Sequence, residues 1–272
     1  MRWSCSSVSE DTDLTIASTQ NPRIKWVRRL QADNAFRIKE QLMIVEGETI
    51  IREVWRRRPG DVHCVLISER HQTADRPMPH WVVSEAISQH VSGLAHSDGW
   101  LAVLHRPPWG DRPGPQDRLV IIDGVQSPRN VGAIMRSAIA FGFTGAIIGA
   151  GTGDPYHPEG LRGMVGHYDA IPLYPDHPDM RHHLRNLGVQ WVALDPYATQ
   201  RMDQLTLRPG LVAVIAGSEG KGLSPEWEAV LSDRDRYRIP IHVVDSLNVG
   251  VATGIACYHV HQVLGTPSTT GC

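Results

Sequence analysis

The 272-residue chain is predicted to be α/β, with a mostly parallel sheet in its second half. Three observations predict this. Residues 119–122, 146–148, 191–194 and 211–215 are unbroken apolar runs of the kind found in parallel strands covered on both faces. Helix-period segments lie between and after them, over 131–141, 180–187 and 225–231. Glycine, proline or small polar residues stand where the strands end, as in Asp123-Gly124 and Gly217-Ser218, which places a ligand at the carboxyl edge of the sheet.

The first half reads as a smaller α/β domain. Residues 1–17 are rich in Ser, Thr and Asp and predict a flexible tail; 266–272 predicts a second one. From Ile24 the apolar residues recur at helical spacing through Val27, Leu30, Ile38 and Leu42, and Met43-Ile44-Val45 then reads as a strand. Helix is expected over 50–58 and 84–91, and strand over 62–68 and 81–83. Four prolines and two glycines in 106–115 cannot continue a helix or an inner strand, so the domain boundary belongs there. The resulting division is a domain at 18–105, a linker at 106–117 and a second domain at 118–265.

Charge and cysteine content narrow the function. A net charge of -2 and a pI near 6.7 exclude polyanion binding through bulk charge, but not through a local patch. Between Arg23 and Arg58 ten basic residues face five acidic ones, and Arg23, Lys25, Arg28 and Arg29 begin the run. An RNA-contacting surface and a solvated helix face are the two readings of it. The four cysteines form no C-x-x-C pair and follow no signal peptide, so reduced thiols are expected. No apolar run is long enough to span a membrane, giving the expectation of a soluble, cytoplasmic protein. The fourteen histidines show no ligand spacing, and no metal is expected.

Three segments carry the chemistry. In the first, Asp123-Gly124 ends a strand and a helix is expected to start near Asn130, an apt capping residue, with Arg136 on a face of small residues. In the second, Gly217-Ser218-Glu219-Gly220-Lys221-Gly222 has three glycines in six residues, allowing positive φ and close backbone approach to a ligand, and Ser224-Pro225 opens the next helix. Its spacing is not that of a P-loop. Gly149-Ala150-Gly151-Thr152-Gly153 is likewise no dinucleotide fingerprint, since Pro155 and Pro158 follow where a helix should start; a tight turn explains it, and a nicotinamide dehydrogenase is disfavoured. In the third, a strand is expected over 238–241, and Ser246 is the expected cap of a helix marked by Val249, Ala252, Thr253, Ala256, Val260 and Val263.

Taken in order, D-G-V-x-x-P-x-N-V-G-A-I-x-R-S-A, G-S-E-G-K-G-L-S and I-P-I…S-L-N-V-x-V-A resemble the SpoU/TrmH branch of the SPOUT methyltransferases, which methylate ribose 2′-hydroxyls of RNA with S-adenosylmethionine. Asn21-Pro22-Arg23-Ile24-Lys25 and Val45-Glu46-Gly47 are similar to the RNA-recognition domain often joined to them, so the resemblance spans most of 18–264. It implies a catalytic domain tied in a deep trefoil knot, a small α/β RNA-recognition domain before it, and a homodimer whose active site is completed across two subunits. It also implies that Leu194, Gly217, Ser218, Gly220, Ile239 and Leu247 hold the cofactor, and that Asn130, Arg136, Glu219, Ser246 and Asn248 form the reaction chamber. The connection His242-Val243-Val244-Asp245 departs from many relatives in being shorter and lacking glycine. Ribosomal RNA is the first expected substrate; transfer RNA, a ribosomal antibiotic-resistance role and a non-catalytic RNA-binding module are the alternatives.

Overall fold

The computed structural model describes residues 15–71 and 78–265, so most of the first expected tail and all of the second lie outside the described residues. It divides into two compact units. One holds the described residues up to Pro107 together with Tyr156–Gly166; the other holds Pro108–Pro155 and the described residues from His167 onward.

The first unit begins with helices α1 (Pro22–Ala32) and α2 (Asn34–Glu40), then β1 (Leu42–Glu46), α3 (Glu48–Arg57), β2 (Val62–Ser68), β3 (His80–Val83), α4 (Glu85–Val91) and β4 (Trp100–His105). The helical run expected from Ile24 to Leu42 is broken twice. Asp33 is extended and its carboxylate accepts from the Phe36 N–H (2.9 Å), capping a new helix, while Gln41 takes a left-handed φ of 55° and ends it, so Leu42 opens the strand. Strand order is β1-β4-β2-β3. The strand β4, absent from the sequence reading, lies between β1 and β2 and pairs antiparallel with both. Ile24, Val27 and Leu30 on one face of α1 pack with Ile44, Leu66, Trp81 and Val103 from the sheet and Ile87 from α4.

Burial here corrects the charge reading. Arg37 is only 1 % exposed, and its guanidinium donates to the carbonyls of Leu30 (2.5 Å) and Gln31 (3.0 Å) and to the Asn34 side chain (3.1 Å). It ties α2 to the end of α1 rather than facing solvent. Arg52, Arg56, Arg57 and Arg58 pair with Glu48, Glu53 or Asp61. The cationic surface is therefore concentrated on α1, where Lys25 and Arg28 are exposed and show no ion pair among the described residues.

The second unit continues with β5 (Arg118–Ile122), α5 (Pro128–Ala140) and β6 (Gly145–Ile148). Next comes α6 (Pro158–Met164), which belongs to the first unit; Pro158 sits in its first turn, so the proline starts a helix instead of preventing one. There follow β7 (Leu173–Pro175), α7 (Pro178–Asn186), β8 (Gln190–Leu194), β9 (Gln200–Arg201), β10 (Val212–Ala216), α8 (Pro225–Glu228), β11 (Arg236–Arg238) and α9 (Val249–Leu264). Every pairing in this seven-stranded sheet is parallel, in the order β7-β6-β5-β10-β8-β11-β9. Residues 108–117 form no helix or strand, and they are fastened to this unit: Gly110 N–H donates to the Leu173 carbonyl (2.8 Å), and His183 Nε2 lies 2.8 Å from the Pro113 carbonyl.

Two expected helix starts move. Ser127 caps α5, accepting from the Asn130 N–H (3.4 Å), so Asn130 lies inside the helix with its side chain released for other contacts. Asn248, not Ser246, caps α9, its Oδ1 accepting from Gly250 N–H (3.0 Å) and Val251 N–H (3.3 Å). The strand expected at 238–241 is β11, which ends at Arg238, because Pro240 supplies no ladder donor. Cys64 and Cys257 are buried thiols, and the described residues contain no helix long and apolar enough to cross a membrane.

Candidate active site

Because the sheet is parallel and β10 lies between β5 and β8, with β11 beyond, the segments after β5, β10, β8 and β11 emerge side by side at one edge. The three segments singled out in the sequence meet there. Asn130 Nδ2 donates to Glu219 Oε1 (3.0 Å), and Asn248 Nδ2 reaches both Asn130 Oδ1 (3.1 Å) and Glu219 Oε1 (3.2 Å). The Val249 N–H at the start of α9 points at the same oxygen (3.4 Å). One carboxylate oxygen thus sits at a helix N-terminus and accepts from three donors. No donor to Oε2 is seen among the described residues, which leaves that oxygen to accept from a ligand hydroxyl.

The loop carrying Glu219 is closed by its own backbone. Ser218 and Gly222 exchange backbone hydrogen bonds (2.9 and 3.1 Å), with Gly220 at φ 90° and Gly222 at φ 71°, values that glycine tolerates. Gly217 has a different reason: a Cβ there would lie 2.6 Å from the carbonyl carbon of Gly222 and 2.9 Å from the Leu223 N. The absent side chain makes room for the chain's own backbone. On the neighbouring side, Gly250 and Gly254 of α9 approach Ala133 and Ser137 of α5, with virtual Cβ contacts of 3.1 and 3.0 Å.

Arg136 stands apart. It is exposed on α5 and shows no hydrogen bond or ion pair to Asn130, Glu219 or Asn248 among the described residues, and Ser246 is likewise exposed in the connection to α9. Leu194, Gly217, Ser218, Ile239 and Leu247 are half-buried at adjacent strand ends, and Gly220 is exposed at the loop tip. In the short connection, Val243 adopts φ 73° and Val244 N–H bonds back to the His242 carbonyl (2.9 Å), so a β-branched residue takes the left-handed position. On α1, Lys25, Arg28 and Arg29 are exposed; Arg29 covers Phe36 and pairs with Asp33, and the Arg23 guanidinium lies over Trp81. No cluster of three or more metal-ligating side chains occurs among the described residues.

Asp123 went unnoticed in the sequence, where Asp123-Gly124 reads as a turn. It is 2 % exposed, and its Oδ2 accepts from the Ser224 N–H (2.5 Å), fastening the end of the 217–224 loop to β5. The Gly149–Gly153 stretch braces the same place: Thr152 Oγ1 accepts from Gly124 N–H and donates to the Ile122 carbonyl, and Gly153 N–H donates to the Val125 carbonyl. Burial, with a smaller push from Asp176, holds the Asp123 carboxyl above the usual aspartate value of 3.8, against the lowering effect of Ser224. Between the unfolded and the higher folded value the folded chain binds more protons, so this group's contribution to stability falls as pH rises through that window. Asp123→Asn keeps an acceptor for Ser224 without this slope. Its melting temperature relative to the parent should therefore rise as pH increases above the usual aspartate value of 3.8. An offset that stays constant across that range would show that the carboxyl is not held protonated by burial.

Residues 117–258 match the SpoU rRNA Methylase family. The chain is 30% identical over 272 residues to an uncharacterized tRNA/rRNA methyltransferase of Synechocystis, covering 94% of this chain and 97% of that one. It is 27% identical over 255 residues to the Bacillus subtilis 23S rRNA (guanosine(2553)-2′-O)-methyltransferase RlmP, covering 90% and 98%. Its fold superposes on the crystal structure of an RNA 2′-O ribose methyltransferase with a TM-score of 0.77 at 26% identity, covering 92% and 99%. With this parallel sheet, these strand-end loops and a match over more than half its length, the chain belongs to the SpoU rRNA methylase family.

Proposed function

We propose that the protein methylates a ribose 2′-hydroxyl in RNA, ribosomal RNA first, using S-adenosylmethionine. The observation that carries the reading is the Asn130–Glu219–Asn248 triangle at the carboxyl edge of the sheet, built from segments 29 to 118 residues apart. The cofactor's chemistry fits the residues present. Leu194, Ile239 and Leu247 offer apolar surface beside Gly217, Ser218 and Gly220, and the 239–247 connection belongs to no helix or strand, leaving main-chain N–H and C=O groups for an adenosine to use. When bound, S-adenosylmethionine supplies an electrophilic methyl on a sulfonium.

The protein's own residues then align the acceptor and manage its proton. With the cofactor bound, the methyl would pass to the ribose oxygen as its bond to sulfur breaks, and the hydroxyl proton would be released to solvent. Alignment alone contributes roughly 7–11 kcal/mol in favourable cases. A guanidinium does not accept a proton at neutral pH, so Arg136 serves to fix the ribose and phosphate and to favour developing charge on oxygen. Glu219 Oε2 is placed to take a hydrogen bond from the hydroxyl, and Ser246 borders the chamber.

Arg136 completes the site of a second copy, which makes the working unit a homodimer. Support comes from its exposure and from the apolar surface that α9 leaves open. Val251 and Tyr258 on α9 are about half exposed, and an open groove of about 450 Å³ runs between α5 and α9. The family reading also makes the C-terminal chain a deep trefoil knot, an exception to the rule against threaded connections. The placement of α9 against α5, β10 and β8, after the 239–248 connection, supports it.

The 18–105 region is the RNA-recognition domain in this reading, with 106–117 joining it to the catalytic domain, and the protein works in the cytoplasm. Arg23, Lys25, Arg28 and Arg29 on α1 meet phosphates. Each contact removed by Arg28→Ala or Lys25→Ala should reduce the slope of log affinity against log salt by about 0.7–0.9. An unchanged slope would place the RNA elsewhere. The function as a whole is tested by mapping ribose methylation across total RNA from cells with and without the protein. Loss of one ribosomal 2′-O-methyl group is expected, and identical maps would refute the reading.

A further inference from the structure

Tyr197 is 93 % exposed, yet the backbone that carries it is firmly held. It lies in the turn that follows β8, between the 217–224 loop after β10 on one side and the 239–248 connection after β11 on the other. Asp195 Oδ1 accepts from the Tyr197 N–H (2.8 Å), and the Ala198 N–H donates to the Asp195 carbonyl (3.2 Å), closing the turn over Pro196. Asp195 N–H in turn donates to the Tyr237 carbonyl (3.1 Å), its Oδ2 lies 3.5 Å from Arg236 Nη1, and Ala198 is buried. The turn is anchored at both ends and presents a bare aromatic ring from its middle.

Arg236 pairs with Asp195 and Glu228, and Arg201 pairs with Asp203 (2.7 Å). In the sheet, Tyr237 is level with Leu194 and Arg238 is level with Arg201. Arg238 therefore leaves the sheet beside the Tyr197 turn. It is exposed and shows no ion pair among the described residues.

An exposed ring on an anchored turn, with the exposed Arg238 at the neighbouring strand end, suits single-stranded nucleic acid, where bases stack on aromatic faces and cations take the phosphates. We infer that Tyr197 stacks on an unpaired base of the substrate RNA and that Arg238 holds a neighbouring phosphate, so that the two residues position the strand at the cofactor edge. This rests on the RNA-methylation reading above.

The test uses the full-length protein, a fluorescent oligouridine of about 12 nucleotides as the RNA probe, S-adenosylmethionine titrated separately by calorimetry, and light scattering for mass. Tyr197→Ala should weaken oligouridine binding by roughly 5- to 100-fold, and Tyr197→Phe should restore it. Arg238→Gln should lower the salt slope by about 0.7. Cofactor affinity and mass should not change in any of the three. Oligouridine affinity unchanged in Tyr197→Ala overturns the inference. Weakened cofactor binding would instead make the ring part of the adenosine site, and a changed mass would make it a subunit contact; either outcome also overturns it. A parent protein that binds no oligouridine removes the RNA reading along with the inference, whereas intact parent binding with indifferent variants removes the inference alone.

Discussion

Arg136→Ala should lower methyl transfer by about 10²–10³-fold while leaving S-adenosylmethionine affinity unchanged. The expectation follows from position. Asn130, Glu219 and Asn248 hydrogen-bond to one another within a subunit, but Arg136 is exposed and shows no hydrogen bond or ion pair to them among the described residues. If it acts on the site of a second copy, a mixture of Arg136→Ala and Glu219→Ala chains should recover activity that neither has alone. One of the two sites in a mixed dimer then combines an intact Arg136 with an intact Glu219. Near-normal turnover by Arg136→Ala would refute its role; absence of recovery in the mixture would place its action within one subunit.

The second large effect is expected at Gly217, for a steric reason. Its missing Cβ is replaced in space by the backbone of Gly222 and Leu223 at 2.6–2.9 Å, and backbone cannot step aside as the end of a flexible side chain can. Gly217→Ala should cost about 1–3 kcal/mol of stability through overpacking, and should weaken cofactor binding because the 217–222 loop is displaced. Gly220→Ala is the control. Nothing lies within 4 Å of a Cβ there, so its cost is confined to the left-handed φ of 90°. Equal effects at the two positions, in chemical denaturation and cofactor titration, would show that backbone crowding at Gly217 is not what the loop depends on.

Legibility varied with how local each feature is. The strand Val62–Ser68 is readable to the residue, and β5, β6, β8 and β10 to within one residue at either end, since an unbroken apolar run is a property of a short window. Helix caps were harder. Ser127 and Asn130 are both suitable caps, as are Ser246 and Asn248, and the choice depends on which residue takes the extended backbone conformation at the helix entrance. The strand β4 was missed although 100–104 is apolar, because its identity as an inner strand comes from pairing with β1 and β2. Arg37 reads as one more surface charge, and its burial depends on the carbonyls that end α1.

The residues of the triangle could be named from the motifs, but not their contacts. Glu219 lies 89 residues from Asn130 and 29 from Asn248, and no window contains all three. The family, the α/β class and the polar and glycine clusters at strand ends were determined by the sequence alone, since each is written in contiguous residues. Strand order was decided by tertiary structure. Placing β10 between β5 and β8 depends on which apolar surfaces bury against each other, and this long-range choice brings Asn130, Glu219 and Asn248 to one edge.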